Sequence, residues 1–438
     1  MSRARPSVVV CGGGLAGVAA ACELAGLGAR VTLVERRPFL GGRAYSFRDR
    51  RGREIDNGQH VYLGCCPAYV RLMDLLRTSV HLTRQRRLDV PVLSRDGLRA
   101  DLRADRLPTP FHMTRALLRY RHLDRSERSA AGAAMIALAA RRGAARERLD
   151  NGTFGEWLRS HGQSEHAIAA FWDIVVLATC NDRSDDVSAA LAAFVFQEGV
   201  LSANDAGAIG WSLVGLSRLV DPAAEEYLRA RGGRVLRSRQ VTHVDGGRVV
   251  LGDGAELRAD AVVLAMPPER VHAVAPRALA HDPGLGVSPI VNVHLWYDRP
   301  ITDQPVLALL DSPAQWVFSR RAMEGGDGHG DRVVVSISAA RDELGVPRDE
   351  LAAAIADELS QIVPGARGRR PVDHAVVKEA RATFSPAPGQ ARRRPGARTP
   401  DPRIALAGAW TDTGWPATME GAVRSGIRAA RVAIDPDG

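Results

Sequence analysis

A chain of 438 residues with 45% hydrophobic and 25% charged side chains can bury two or more cores, which excludes wholesale disorder. The formal net charge of +9 rests almost wholly on arginine, Lys378 being the sole lysine, and reads first as a basic solvated surface. A membrane face carrying anionic lipid is the second reading; nucleic acid is set aside, because no zinc-finger, RRM-type or aromatic-interleaved basic motif accompanies the charge.

The N-terminus imitates a signal peptide, with a basic head and an apolar, small-residue run. Glu23 interrupts that run, and its glycines have another use. Ser7–Cys11 reads as a buried β-branched strand, Leu15 to Leu27 as a helix stopped by Gly28, and Val31 to Glu35 as a second strand. This βαβ unit predicts a parallel sheet. From about Asp101 to Ala208 the pattern is mostly helical. Its most apolar part, Ala130 to Ala140, is too short to span a bilayer and runs into Arg141 and Arg142.

Further on, Arg234 to Val244 and Arg248–Leu251 predict a hairpin around Asp245-Gly246-Gly247, and Asp260 to Pro268 a buried strand ending at a proline pair. Strands are expected at Val291 to Tyr297, Val306 to Leu310, Gln315 to Phe318 and Val333 to Ile337, and a helix at Glu350 to Ile362. Ser385 to Arg403, rich in Pro and Arg, reads as an extended loop. It is followed by a short strand at Ile404 to Ala407 and a helix at Met419 to Ala433. The cysteines (Cys11, Cys22, Cys65, Cys66, Cys180) are odd in number and lack framework spacing, as expected in a reducing cytoplasm. They read as small buried residues, with a redox role for the adjacent Cys65–Cys66 pair as the lesser alternative.

The chemistry begins at Gly12-x-Gly14-x-x-Gly17, between the first strand and the first helix. The glycines suit a tight turn, a backbone close to a pyrophosphate, and close helix–strand packing, with helix N–H groups facing the phosphates. Glu35 follows Gly17 by 35 − 17 = 18 positions, where a carboxylate accepts hydrogen bonds from ribose. Next comes Gly41-Gly42-Arg43. The whole pattern, G-x-G-x-x-G-x3-A-x2-L-x3-G-x2-V-x3-E-x5-G-G-R, resembles the fingerprint of the flavin amine oxidase and carotenoid desaturase superfamily. So do Leu406-Ala-Gly408-Ala-Trp410 and Glu420-Gly421-Ala-Val-Arg-Ser425-Gly426 near the C-terminus.

The resemblance implies an α/β fold: a Rossmann-type FAD-binding domain over 1–75, 215–282 and 400–438, with a discontinuous α+β substrate domain over 76–214 and 283–399. The helical region of the latter is 101–208. It implies non-covalent FAD held by Gly12, Gly14, Leu15, Ala16 and Gly17 at the first turn, and by Glu35, Arg36, Gly42 and Arg43 at the second. Gly58, Gln59, Val241, Gly408, Thr418 and Met419 complete the expected set. The helix opening at Thr418–Met419 would turn its positive end toward the flavin. Ala409 stands where the superfamily usually has an Asp that binds ribitol, a loss worth about 1–3 kcal/mol, and Asp412 is not obviously placed to replace it.

Three internal segments narrow the branch: Asp56-Asn-Gly-Gln-His-Val-Tyr-Leu-Gly-Cys-Cys66; Trp172-Asp-Ile-Val-Val-Leu-Ala-Thr-Cys-Asn181 with Ala189-Ala-Leu-Ala-Ala193; and Thr411-Asp-Thr-Gly-Trp-Pro-Ala-Thr-Met-Glu420. With the flavin motifs they resemble the squalene-associated FAD enzymes, the hydroxysqualene dehydroxylases of bacterial hopanoid biosynthesis. That likeness implies reductive loss of hydroxyl from hydroxysqualene, a C30 isoprenoid, to give squalene. The helical region is then the expected tunnel, although core packing alone also needs its Ala, Leu and Phe.

Hydroxide leaves poorly, so the reaction needs an acid. His60 is the first candidate, with Gln59 to position the hydroxyl and Asp56 and Asp173 as alternatives. Each also has a structural reading, as a loop hydrogen-bonder, a turn residue or a helix cap. No metal site is expected, and no nucleophile elbow or Walker loop is present. The competing functions are an oxidative carotenoid-type (phytoene) desaturase, an amine oxidase, and a non-catalytic FAD or lipid carrier. The electron donor is unknown from sequence. The expected location is the cytoplasm, in peripheral contact with the membrane face.

Overall fold

The computed structural model describes residues 5–279, 281–326 and 330–435. The outer ends of the segments 1–75 and 400–438, and residue 280 within 215–282, lie outside the described residues. A five-stranded parallel sheet has the order Arg234–Leu236, Arg30–Val34, Ser7–Cys11, Ala261–Leu264, Ile404–Leu406. Its strands from Ser7–Cys11 to Ile404–Leu406 are almost wholly buried, which is why they read as unbroken apolar runs, whereas Arg234–Leu236 at the edge is exposed or half-buried. Val8, Val10, Val31, Leu33 and Val263 pack under helices Leu15–Gly26 and Met419–Ile434. Val9, Cys11, Val34, Val262 and Leu264 pack under a three-stranded antiparallel sheet of Val241–Asp245, Arg248–Leu251 and Glu256–Arg258.

A seven-stranded mixed sheet has the order Asp373–Phe384, Val287–Tyr297, Asp331–Ser338, Trp316–Ser319, Val306–Leu309, Asp89–Leu93, Arg99–Arg103. Helix Arg348–Ile362 covers one face, packing on Leu295, Leu307 and Val335. The helical region covers the other, where Tyr120, Phe154, Trp172 and Phe196 meet Val306, Ala308 and Phe318. A smaller sheet orders Val61–Leu63, Ile209–Ser212 and Leu82–Arg84.

Two expectations need correction. Arg234–Leu236 is not part of the hairpin: it pairs in parallel with Thr32 to Val34, and only Val241–Asp245 turns back on Arg248–Leu251. The stretch 101–208 opens inside strand Arg99–Arg103, whose polar outer positions follow from its place at a sheet edge, and it closes just before Ile209–Ser212. Within it helix Thr114–Arg119 precedes the 16-residue Arg125–Ala140, and a π-turn at Ile168–Trp172 leads into helix Asp173–Cys180.

Candidate functional site

The first turn and the Gly41-Gly42 turn lie against each other. Gly41 N–H donates to Gly13 O at 2.8 Å, and Gly14 and Gly41 form a parallel bridge. A Cβ on Gly42 would fall 2.9 Å from the Gly14 Cα, and one on Gly17 would fall 1.8 Å from Gly12 O. Neither position tolerates a side chain. The helix Leu15–Gly26 begins at Gly14 with no side-chain cap and no acid in its first turn. Its leading N–H groups, from Leu15, Ala16 and Gly17, therefore present an uncompensated positive end, the requirement for a diphosphate.

Glu35 is buried at the end of the second strand. Its carboxylate accepts Gly13 N–H at 2.6 Å and Arg37 N–H at 2.8 Å. It thus fixes the first turn while keeping acceptor capacity for a ribose. Arg36, the next residue, is exposed. The segment leading to Val241 runs alongside: Glu35 N–H donates to Leu236 O and Arg239 N–H to Glu35 O, both at 2.9 Å. Val241 itself is buried in the core beneath the hairpin.

From Gly42 the chain passes to Arg43, whose guanidinium donates to the carbonyls of Arg381 and Ala382 on the long edge strand. Asn57 Nδ2 donates to Arg43 O at 3.2 Å, so the 56–60 loop continues from the second glycine turn. Gly58 lies flat on Asn292 of strand Val287–Tyr297, and Gln59 N–H donates to Asn292 Oδ1 at 3.2 Å. Gln59 Nε2 reaches no further than His60 O, at 3.5 Å.

His60 Nδ1 pairs with Gly58 O at 2.9 Å, which makes Nδ1 the protonated nitrogen and leaves Nε2 as the acceptor. Desolvation pushes this imidazole below the ordinary histidine range. The Gly58 bond and Asp56 oppose the shift, and Arg43 adds to it. His60 is therefore neutral at pH 7. Asp56 is spent elsewhere: its Oδ1 accepts Ser46 Oγ at 2.7 Å and the Leu216 N–H at 3.0 Å, capping helix Leu216–Arg229.

Asp173 does not join this group. Its Oδ1 accepts Ser184 N–H at 2.9 Å and Ser184 Oγ at 2.6 Å, and burial raises its pKa. It lines a separate cavity of about 370 Å³ with Leu177, Leu309 and Trp316, which none of the glycine-turn residues or His60 borders. Asn181 ties the helical region to the sheet through Ser288, Thr383 and Ala339.

At the C-terminal motif, Gly408 N–H donates to Ser425 Oγ at 2.9 Å. Thr418 caps the last helix, accepting Gly421 N–H at 3.1 Å, so the N–H of Met419 is among those left to face outward. Ala409 contributes only its carbonyl. Asp412, exposed, accepts Gly414 N–H in its own turn at 3.1 Å. Two buried residues hold this motif, Arg394, which the sequence did not single out, and Glu420, which it marked only as part of the motif. Arg394 donates to the carbonyls of Ala409 at 3.0 Å, Thr411 at 2.5 Å and Trp415 at 2.9 Å, and burial pulls it down to about 10, so it stays charged. Glu420 ties the last helix to helix Pro67–Leu75. Among its neighbouring arginines Arg394 carried no sequence signal of its own, and Glu420 stood out only as the first residue of the C-terminal motif.

Cys11, Cys22 and Cys180 are buried free thiols pushed up to about 12. Cys65 and Cys66 are free as well. Their mutual hydrogen bond lowers the first and raises the second. Among the described residues no cluster of His, Cys, Asp or Glu could hold a metal ion. An uncapped helix end, two apposed glycine turns and a buried carboxylate at the strand end together fit a dinucleotide with a diphosphate at Gly14 and a ribose at Glu35.

The family model for flavin containing amine oxidoreductases matches residues 15–434. Hydroxysqualene dehydroxylase of Rhodopseudomonas palustris is 30% identical, over 98% of each chain, and that of Sinorhizobium fredii 29%, again over 98% of each. The 15-cis-phytoene desaturase of Synechococcus elongatus is 26% identical over 98% of this chain and 95% of its own. Among solved structures, a putrescine oxidase aligns with TM-score 0.74 at 19% identity, covering 98% of this chain and 99% of that one.

Proposed function

Since the chain belongs to the flavin containing amine oxidoreductase family and is an FAD-dependent oxidoreductase of its fold, we propose that it reductively dehydroxylates hydroxysqualene to squalene. The observation that carries this reading is the full-length similarity to hydroxysqualene dehydroxylases from three organisms, at 29–30% identity. Overall, the alcohol and reduced FAD give the hydrocarbon, water and oxidised FAD. The Gly14–Gly42 cradle, Glu35 and the Thr418–Met419 helix end would hold FAD, which when bound would supply the hydride equivalent.

The chain's own task is to assist loss of hydroxide. His60 Nε2 faces no protein partner in its hydrogen-bond set, and its imidazolium form is the proton donor in this proposal. Gln59 offers an amide beside it to orient the hydroxyl. Asp56 and Asp173, each committed to a backbone N–H and a serine hydroxyl, stand behind His60 as donors. The division into an FAD unit (1–75, 215–282, 400–438) and a substrate unit belongs to the same proposal, as does peripheral membrane contact. Among the described residues no helix is long and apolar enough to cross a membrane.

The second reading is oxidative desaturation, favoured by the phytoene and zeta-carotene desaturases at 25–27% identity. One anaerobic experiment separates them. Chemically reduced protein is given hydroxysqualene, and the product is analysed by mass spectrometry. Squalene formed as the flavin reoxidises supports dehydroxylation. Untouched hydroxysqualene, with dehydrogenation of a polyene by oxidised protein, supports the desaturase.

A further inference from the structure

The large apolar side chains left exposed are not scattered evenly. Leu107 (46% exposed), Phe111 (61%) and Leu118 (65%) fall in one short stretch, and Ile136 (74%) stands on the neighbouring helix Arg125–Ala140. The two elements touch: Leu117 Cδ2 lies 3.6 Å from where a Cβ of Gly132 would stand. The outward positions of the second helix are Arg125 and Ser126 in its first turn and then Ser129, Ala133, Ile136 and Ala140. No charge occurs from Ser129 to Ala140, and Arg141 and Arg142 follow.

The first stretch is not a loose loop. His112, Ala116 and Tyr120 are buried beneath it, Tyr120 donates to Ala170 O at 2.6 Å, and Asn204 Nδ2 donates to Leu107 O at 2.9 Å. Phe111 and Leu118 are thus held outward by a fixed frame. Around them stand Arg106, Arg115, Arg119 and Arg121, all exposed, with no Asp or Glu between Arg106 and Leu123. The flanking acids are Asp105, 3.9 Å from Arg115, and exposed Asp124, which caps helix Arg125–Ala140.

We propose that 106–121 and the outer face of helix Arg125–Ala140 form the surface on which this protein rests on an anionic bilayer. Apolar tips ringed by exposed arginines, Arg115 alone of the four facing an acid at 3.9 Å, match a membrane interface, where the tips enter the acyl boundary and the cations meet phosphate headgroups. A second copy fits poorly. A two-fold contact through this patch would set its arginines against one another, and the flanking acids do not offset them: Asp105 already faces Arg115, and Asp124 caps helix Arg125–Ala140. The surface lies directly over the core of Tyr120, Leu138, Phe154, Trp172 and Phe196 in the helical region. The inference rests on the proposed function for its purpose, which is to pass a C30 hydrocarbon between bilayer and protein.

The test is co-sedimentation of the FAD-loaded protein with vesicles of phosphatidylcholine, with and without phosphatidylglycerol. Binding should rise with phosphatidylglycerol and fall with salt. The pair Phe111→Ser with Leu118→Ser should lower it about tenfold or more, by the worth of two inserted side chains, and Arg115→Glu with Arg119→Glu should abolish the preference for phosphatidylglycerol. Val372→Ser, at a residue 66% exposed just before edge strand Asp373–Phe384, should leave binding unchanged. Bound flavin and the denaturation midpoint, measured on every variant, establish that each is folded. Unchanged binding in the folded Phe111/Leu118 variant, an equal loss at Val372, or a dimer in light scattering that the Phe111/Leu118 variant dissolves would each overturn the proposal. Turnover of hydroxysqualene dispersed in detergent is read separately, so failure of the proposed reaction does not register as failure of the surface.

Discussion

Glu420, buried at the start of the C-terminal helix, accepts the backbone N–H of Tyr69 at 2.8 Å, across 351 residues of chain. It also accepts Ala68 N–H at 3.1 Å and Arg424 Nε at 2.7 Å. One carboxylate thus serves two helix N-termini, that of Met419–Ile434 and that of Pro67–Leu75, where negative charge is stabilised. Glu420→Ala leaves two N–H groups of the second helix without their acceptor and should cost roughly 2–4 kcal/mol of stability. Glu420→Gln, which keeps an acceptor oxygen, should cost less. Urea denaturation of the FAD-loaded protein measures both, and equal stability of the alanine variant would show that the clasp is idle.

Glu35 should behave differently, because its second task is to bind. Glu35→Ala removes the acceptor of Gly13 N–H and Arg37 N–H together with the proposed ribose contact. FAD affinity should fall by about ten- to a hundredfold, the worth of one or two charge-assisted bonds, and excess FAD should restore occupancy. Titration of the apoprotein by flavin fluorescence reads this directly.

Arg394 tests whether the flavin motif is held from outside itself. Its planar fork spans three carbonyls, from Ala409 to Trp415, and its guanidinium lies over the Phe384 ring at 4.8 Å. Lysine cannot reproduce that fork. Arg394→Lys and Arg394→Met should therefore both weaken FAD binding, while the Gly14 turn remains intact. A lysine variant with wild-type affinity would reduce Arg394 to a point charge.

Arg394 also marks where sequence reading ended. The first turn was legible because each glycine answers a local need, as at Gly17, where a Cβ would strike Gly12 O. Four strands of the parallel sheet were legible because burial demands unbroken apolar runs. Arg394 sits in a Pro/Arg-rich loop like its exposed neighbours Arg392 and Arg393, and only distant carbonyls distinguish it. Arg234–Leu236 looked like half a hairpin because its true partner, Thr32 to Val34, lies 202 residues away. Edge strand Asp373–Phe384 was hidden by Lys378, Glu379 and Arg381, charges that suit an edge but imitate a loop.

Buried histidines set the acid side of stability. Desolvation, with Arg332, Arg320 and Arg53 nearby, holds His294 down at about 3, against a carbonyl interaction with Asp56 that opposes it. The folded protein then binds fewer protons than the unfolded chain between pH 6.5 and 3. Stability is full above 6.5 and falls as pH drops, by up to about 1.4 kcal/mol per pH unit for this group. His112 and His122, also lowered by burial, add in the same direction. His294→Gln should flatten the fall in urea midpoint between pH 6.5 and 5, and an unchanged slope would assign the acid sensitivity elsewhere.

The last prediction concerns His60. Its shift lies below 6.5 and its Nδ1–H is engaged by Gly58 O, so the donor in the proposed reaction must be the imidazolium, with its proton on Nε2. That form is scarce at pH 7 and grows as pH falls. Dehydroxylation of hydroxysqualene by reduced protein should therefore accelerate toward acid, with an apparent pKa below 6.5. His60→Ala should lower the rate by about 10²–10⁴-fold and abolish that acid limb, with FAD still bound. His60→Gln separates the two roles open to the residue. It keeps a side chain able to bond Gly58 O, so a purely structural His60 would leave the rate near normal, whereas a proton donor would leave it as low as in the alanine variant. A rate in His60→Gln that still climbs toward acid would move the assignment to Asp173, whose pKa burial raises.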